Sequence, residues 1–317
     1  MKNSAQMDAY MAAFRARKSG GKTSGPPDRA AMERRLENVP MPKGTRIEKI
    51  SMNGVPARKI SVPGAREDSV MLFIHGGGFV SGSSASPCFF GTRVAEKTHQ
   101  TIYSIDYRLG PEHSFPDGLD DCLCAYQQLL SSRILPENIA ISGGSAGGYM
   151  SLALTRRIRE MGLGMPGALV LLSPFTGFGM EPPTPYQVAA DSMLTYDGNA
   201  QVIESYFSGL DLNDPAINII LDDFHGFPPT YLALCTDEIL YGGIMALANK
   251  LGQAAVACDV HIRQGCCHSF SLMATPEGAR EAECAAAFLL DMERGLPDLP
   301  EVTAESIKAR FSGSVKI

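Results

Sequence analysis

Apolar runs of strand length alternate with helical patterns through most of the chain. Six stretches of the sequence have the mainly apolar and β-branched composition of buried strands: 69–75, 101–106, 139–142, 168–173, 230–235 and 255–262. Amphipathic helical patterns lie between and after them, at 87–98, 117–131, 145–161, 239–251 and 276–293. Because strands that alternate with helices form crossover units, we expect a mostly parallel sheet with helices on both faces.

The first part of the chain departs from this alternation. Residues 1–45 contain two predicted helices, at 7–17 and 29–36, separated by a Gly/Pro-rich break. A hairpin follows, since the strand patterns 46–52 and 55–62 flank Asn53-Gly54. We therefore predict an N-terminal cap segment at 1–45 and a sheet domain that begins at residue 46.

A second departure separates two buried strands. Residues 174–227 have no strand pattern but carry Pro, Asp, Asn and scattered aromatic residues, with a helix predicted at 195–208. So long a segment in a compact domain should have helices and a function of its own, and we interpret it as a cap insertion. The sheet domain would then comprise 46–173 and 228–295. Residues 296–317 are predicted to form a polar tail with a short helix at 304–311.

Composition and charge narrow the class of protein. The chain has 317 residues, 44% of them hydrophobic and 20% charged, which is typical of a large globular domain. The net charge of −6 argues against nucleic acid or an anionic membrane surface as the partner. No apolar run is long enough to span a membrane, and the N-terminus lacks a signal-peptide pattern, so a cytoplasmic location is expected.

The cysteines do not predict a metal or redox site. Their spacing matches neither a zinc site nor a redox pair, at positions 88, 122, 124, 235, 258, 266, 267 and 284. Cys266-Cys267-His268 has no second pair of ligands to accompany it. We expect reduced cysteines in an apolar core, no bound metal and no cofactor.

One turn carries the strongest chemical signal. Gly143-x-Ser145-x-Gly147 follows a predicted strand and precedes a helix, which fits a nucleophile elbow. Glycines at these two positions would let strand and helix approach a strained serine closely. The alternative is a plain Gly/Ser turn without a chemical role. The two interpretations are distinguished by whether the chain also supplies a base, an acid and an oxyanion hole.

A base and an acid follow later strands. His268 lies in the loop after the last predicted strand, and Asp237 directly follows strand 230–235, with Glu238 as its main rival. The order serine, acid, histidine matches a triad on this type of sheet, whose functional groups collect at the carboxyl ends of strands. The alternatives are a surface histidine and an aspartate that only caps a helix.

Three glycines follow the strand 69–75. In His75-Gly76-Gly77-Gly78-Phe79 they free the backbone to present N–H groups, as an oxyanion hole requires. We predict Gly77, Gly78 and Ala146 as the donors, and His75 as a support of the loop.

Together these parts resemble the hormone-sensitive-lipase-like family of α/β-hydrolases, which includes bacterial carboxylesterases. The resemblance is carried by His75 to Phe79, Asp106-Tyr107-Arg108-Leu109 with Pro111-Glu112-His113, Gly143 to Gly148, Asp237-Glu238-x-Leu240 and His268-x-Phe270. It implies an α/β-hydrolase fold with an eight-stranded, mostly parallel sheet and a helical cap. It also implies Ser145, Asp237 and His268 as the triad. Two positions depart from relatives, which commonly carry an acid where Gly144 and Tyr241 stand.

The predicted reaction is ester hydrolysis through an acyl-serine, and the resemblance implies short acyl chains on a small-molecule ester. Candidates for the pocket wall are the aromatic residues Phe79, Tyr149, Phe175, Tyr186 and Phe207. A lactonase, an amidase or a peptidase would use the same machinery, and a non-catalytic small-molecule receptor is a remote alternative. An edge strand would be able to support a homodimer.

Overall fold

A central sheet organises the computed structural model, which describes residues 2–19, 28–180 and 182–295. Its strands are β1 (Arg46–Met52), β2 (Val55–Ser61), β3 (Arg66–Ile74), β4 (Gln100–Ile105), β5 (Ile139–Gly144), β6 (Ala168–Leu172), β7 (Thr230–Cys235) and β8 (Cys258–Arg263). They lie in the order β1-β2-β4-β3-β5-β6-β7-β8. Strand β2 pairs antiparallel with β1 and with β4, and the other pairs are parallel. The predicted eight-stranded, mostly parallel sheet is confirmed.

Helices cover both faces of this sheet. In chain order they are α1 (Ala5–Ser19), α2 (Arg29–Glu37), α3 (Phe90–Thr98), α4 (Asp117–Ser131), α5 (Ala146–Glu160), α6 (Pro185–Ala190), α7 (Tyr196–Tyr206), α8 (Tyr241–Gln253) and α9 (Pro276–Glu293). Helices α4, α5 and α8 pack on one face, and α3 and α9 on the other. Because side chains alternate along a strand, Leu72 faces the first core and Phe73 the second. No helix in the described part of the chain is both long and apolar enough to cross a membrane.

The predicted hairpin is present at the start of the sheet. Asn53 and Gly54 have φ values of 48° and 91°, and they join β1 to β2. Two consecutive residues with positive φ are typical of a type I′ turn, which an Asn-Gly pair favours. The twist of this turn matches that of the strands beside it, so the local sequence determines the register.

The stretch 174–227 lies between β6 and β7 and carries two helices. The predicted helix near its centre corresponds to α7, whereas α6 was missed. Helix α6 has only six residues, and Thr184 and Gln187 form a capping box at its start. A helix of fewer than two turns is too short for a periodic pattern. The predicted helix at 304–311 lies outside the described residues.

Helix α1 ties the end of the sheet to the stretch 174–227. At one end, Asn3 Nδ2 donates to the carbonyl of Gly265 at 2.6 Å, just after β8. At the other end, Lys18 Nζ donates to the carbonyl of Asp191 at 2.7 Å, just after α6. The helix therefore connects the loop after β8 to the end of α6.

Candidate active site

Ser145 lies in a strained turn between β5 and α5. Its φ is 55° and its ψ is −121°, a conformation that non-glycine residues rarely adopt. A Cβ at Gly143 would lie 2.3 Å from the carbonyl oxygen of Gly147, and a Cβ at Gly147 would lie 2.0 Å from that of Ile74. Both glycines are therefore required by close backbone contacts. The turn has the geometry that its glycine pattern predicts.

His268 is held in one orientation at the end of the sheet. The ring is buried, and its Nδ1 lies 2.6 Å from Oε2 of Glu238. Because a carboxylate only accepts, Nδ1 carries the proton and donates it. Its Nε2 is buried and has no hydrogen-bond partner within the described residues. A ring that is held by a carboxylate at Nδ1 and has a free Nε2 is the arrangement that a general base requires.

The acid that contacts His268 is Glu238 rather than the predicted Asp237. Glu238 is fully buried, and Asp237 is 7% exposed. The Asp237 carboxylate instead accepts from the hydroxyls of Tyr186 at 3.0 Å and Thr236 at 2.7 Å. Where β7 ends, consecutive side chains point in different directions, and the longer glutamate arm reaches the ring. No sequence signal separates two adjacent acids that follow the same strand.

Three donors satisfy the buried Glu238 carboxylate. Its Oε1 accepts from the Cys235 N–H at 2.8 Å and from the Ser173 hydroxyl at 3.0 Å, and His268 occupies Oε2. Donors of this kind compensate the cost of burying a charge. Ser173, which directly follows β6, was not among the site residues predicted from the sequence. Its position at the carboxyl end of a strand was the available signal.

The elbow touches the loop that carries His268. A Cβ at Gly144 would lie 2.9 Å from Cδ1 of Leu272, which is four residues after the histidine. The histidine loop, defined here as residues 264–272, therefore packs against the turn that holds Ser145. A larger side chain at Gly144 would require the end of the Leu272 side chain to move.

The glycine loop after β3 lies directly against Ser145. A Cβ at Gly76 would be 2.6 Å from the carbonyl oxygen of Gly144 and 3.2 Å from Cβ of Ser145. Gly77 and Gly78 follow with φ values of 111° and 63°. In the part of the chain that the structure describes, the N–H groups of Gly77, Gly78 and Ala146 have no acceptor. These groups are therefore available to bind an anionic oxygen.

His75 supports this loop as expected. Its Nδ1 lies 2.7 Å from the carbonyl oxygen of Gly76, and its ring stacks on Tyr107 at 4.3 Å. The Tyr107 hydroxyl donates to the carbonyl of His75 at 2.9 Å. Burial lowers the pKa of His75, which keeps the ring neutral at physiological pH.

Four of the five predicted pocket residues meet in one aromatic cluster. Phe79, Tyr149, Phe175 and Phe207 are at most 8% exposed and have ring contacts with one another. The Phe175 N–H donates to the carbonyl of Ser145 at 2.9 Å, so the cluster borders the elbow. Tyr186 lies elsewhere: it is 62% exposed on α6 and contacts Asp237.

The stretch 174–227 contacts both residues that flank Glu238. Tyr186 donates to Asp237 on one side, and Oδ2 of Asp191 accepts from the N–H of Ile239 at 3.0 Å on the other. Asp191 is itself buried. The segment around α6 therefore borders the acid.

A third buried cluster lies beneath α1. Its members are mostly sulfur-containing residues: Met7, Met11, Cys235, Cys266, Cys267 and Phe270. We call this group the sulfur cluster. Cys267 Sγ lies 3.7 Å from Sδ of Met7, so α1 packs on the residue that precedes His268. Burial raises the pKa of Cys266 to about 12 and that of Cys235 and Cys267 well above the ordinary value.

Comparisons with known proteins agree with this geometry. Residues 71–272 match the model of a protein family whose members have the alpha/beta hydrolase fold. An esterase from Acinetobacter venetianus is 28% identical over 246 residues, which are 77% of this chain and 81% of the relative. An acetyl-hydrolase from Streptomyces hygroscopicus is 26% identical over 230 residues, 72% of this chain and 77% of the relative. The crystal structure of an esterase from the bacterial hormone-sensitive lipase family has a TM-score of 0.84 at 29% identity, covering 91% of this chain and 98% of that one.

Proposed function

The chain is a carboxylesterase-type member of the hormone-sensitive-lipase-like α/β-hydrolases, and on this premise we propose that it hydrolyses short-chain carboxylic esters through an acyl-serine. The observation that carries the proposal is the buried His268 ring, paired with Glu238 at Nδ1 and unpartnered at Nε2. The ring belongs to a loop that packs on the Ser145 turn. Ser145, His268 and Glu238 form the proposed triad.

In the acylation step, Nε2 of His268 takes the hydroxyl proton of Ser145. The serine oxygen bonds to the ester carbonyl carbon, and the carbonyl oxygen becomes an oxyanion. The N–H groups of Gly77, Gly78 and Ala146 donate to that oxyanion, while Glu238 stabilises the imidazolium. When the tetrahedral intermediate collapses, Nε2 gives its proton to the departing alcohol oxygen, and Ser145 keeps the acyl group.

Deacylation repeats these proton transfers with water. Nε2 takes a proton from a water molecule, whose oxygen bonds to the acyl carbon. The same N–H groups receive the second oxyanion. Collapse releases a carboxylic acid, and the proton returns to the oxygen of Ser145. The cycle therefore needs no redox partner and no group beyond substrate and water.

The aromatic cluster supports a short acyl chain. Phe79 directly follows the predicted donor Gly78, and the Phe175 backbone bonds to Ser145. Phe79 stacks on Tyr206 at 4.8 Å and packs edge-on against Phe207 at 5.2 Å, so these rings fill the space among themselves. A long acyl chain next to Ser145 would have to displace more of these buried rings than an acetyl or butyryl group.

We also propose that residues 1–45 and 174–227 form a cap over the catalytic domain of 46–173 and 228–295. Helix α1 contacts the histidine loop and the end of α6, and α6 contacts Asp237 beside the acid. A cap that is anchored on both acid and base loops would restrict the size of the substrate. The same contacts would exclude bulk water from the acyl-enzyme.

The deciding experiment compares wild type with Ser145→Ala. We expect wild type to hydrolyse p-nitrophenyl acetate and butyrate faster than the decanoate, and to be labelled by a fluorophosphonate probe. Ser145→Ala should lose both properties, while Ser132→Ala on the exposed end of α4 keeps them. A lactone and an anilide in the same series test the related reactions. Hydrolysis by Ser145→Ala above the uncatalysed rate would contradict the mechanism.

A further inference from the structure

Ser173 joins the acid to the loop that carries the base. Its hydroxyl donates to Oε1 of Glu238 at 3.0 Å and accepts the N–H of Ser269 at 3.1 Å, the residue after His268. Ser173 is fully buried. The geometry points to Ser173 as a positioning residue for the Glu238–His268 pair. This inference rests on the proposed function, because it assigns a role within the same reaction.

The direction of the two hydrogen bonds is determined by the groups involved. The Ser269 N–H can only donate, so it occupies a lone pair of the Ser173 oxygen. The Glu238 carboxylate can only accept, so the single hydroxyl proton of Ser173 points to Oε1. The Cys235 N–H is the second donor to Oε1. With both donors on this oxygen, the carboxylate plane is fixed and Oε2 faces Nδ1 of His268.

The backbone at Ser173 is built to place this hydroxyl. Its φ is 46°, in the left-handed region that non-glycine residues seldom adopt. Its N–H donates to the carbonyl of Ala233 in β7 at 2.7 Å. The serine is therefore anchored to the strand that leads into Glu238, and its side chain bonds to the loop after β8. Three neighbouring strand ends are connected through one residue.

The hydrogen bond from Ser173 matters because the acid is a glutamate rather than an aspartate. Glutamate has one more rotatable bond than aspartate, so its carboxylate has more orientations to lose on being fixed. Cα and Cβ alone do not determine where Oε2 lies. A hydroxyl from the adjacent strand supplies the missing constraint, and it also restrains the backbone beside His268.

A double-mutant cycle tests the role. Ser173→Ala should lower kcat for p-nitrophenyl acetate about tenfold with KM within about twofold, since a hydrogen bond to a charged group is lost. In a Glu238→Ala background the same change should lower kcat less than about twofold, because its target is absent. Ser173→Gly removes the hydroxyl while accepting the positive φ, and it should show the same tenfold loss in kcat.

Ser271→Ala is the matched control. Ser271 is fully buried in the same histidine loop, and its hydroxyl has no partner within the described residues. We expect its kcat to stay within about twofold of wild type. Equal losses in both backgrounds, or wild-type kcat in Ser173→Gly, would overturn the positioning role and leave the esterase assignment intact. A wild-type protein that hydrolyses no ester would instead overturn the proposed function.

Discussion

Nδ1 of His268 lies 2.6 Å from Oε2 of Glu238, while the neighbouring Asp237 bonds to Tyr186. The two adjacent acids therefore have different environments. Glu238 is enclosed between strand ends, and Asp237 faces α6. Because of this difference, we expect replacing Glu238 to lower activity far more than replacing Asp237.

Glu238→Gln should lower kcat/KM for p-nitrophenyl acetate by about 10³-fold or more, since an amide at this position favours the wrong imidazole tautomer. Asp237→Asn is the matched variant: it keeps the shape of an acceptor for Tyr186 and should cost less than about fivefold. Steady-state kinetics of the two purified proteins give the comparison. A larger loss in Asp237→Asn than in Glu238→Gln would return the role to Asp237.

The tight contact at Gly147 predicts a large effect of one methyl group. In Gly147→Ala the new Cβ would meet the carbonyl oxygens of Ile74 at 2.0 Å and His75 at 2.6 Å, both of them backbone atoms. We expect a loss of about 2–4 kcal/mol in the free energy of unfolding, as for overpacked cores. Chemical denaturation measures it.

Gly242→Ala is the control for this prediction. Gly242 lies in α8 with open space around its Cβ position, so alanine should leave stability unchanged or raise it by about 0.5–1 kcal/mol. If both variants were equally stable, the steric account of the elbow would be wrong.

The aromatic cluster predicts a change in acyl-chain preference. Phe175→Ala removes a ring beside Ser145. It should raise the ratio of kcat/KM for p-nitrophenyl octanoate to that for acetate by about tenfold. A small change in a hydrophobic pocket alters the difference in transition-state binding between two substrates by about 1–3 kcal/mol. A series of chain lengths measures it. Phe288→Ala, buried on the opposite face of the sheet, should lose stability without changing the ratio. The same shift in both variants would count against an acyl pocket at this cluster.

His261 predicts how stability depends on pH. Burial alone would lower its pKa, but hydrogen bonds to Asp259 and Cys284 and the charge of Glu281 raise it to about 10, from 6.5. The folded state then holds a proton that the unfolded chain releases. The stabilisation is complete below about pH 6.5 and is lost as the pH rises to about 10.

His261→Gln is the variant that measures this contribution. Its melting temperature should be lower than that of wild type at neutral pH, and the difference should shrink as the pH approaches about 10. Thermal unfolding between these limits tests it. A difference that is constant with pH, or grows in alkali, would contradict the assigned proton.

The sequence was sufficient for the parts of the fold that depend on periodicity. The buried strands and the hairpin at Asn53-Gly54 could be predicted because apolar runs and turn residues act locally. The Ser145 turn and the glycine loop were found because close backbone approach restricts residue type. The acid could not be chosen, since Asp237 and Glu238 differ only in the direction in which the end of β7 presents them. The contacts of Ser173 and Tyr186 join distant segments of the chain, so the sequence indicated neither the Glu238 partner of Ser173 nor the Asp237 partner of Tyr186.

The sulfur cluster makes the docking of α1 measurable. Cys235, Cys266 and Cys267 are buried, and burial raises the pKa of each thiol, so reagents that modify thiolates should reach them only when α1 lifts from the histidine loop. Their modification rate would then report the local opening equilibrium beside His268 without any added label. The three thiols therefore report how often the histidine loop is uncovered. A substrate-like inhibitor that closes the site should lower their modification rate.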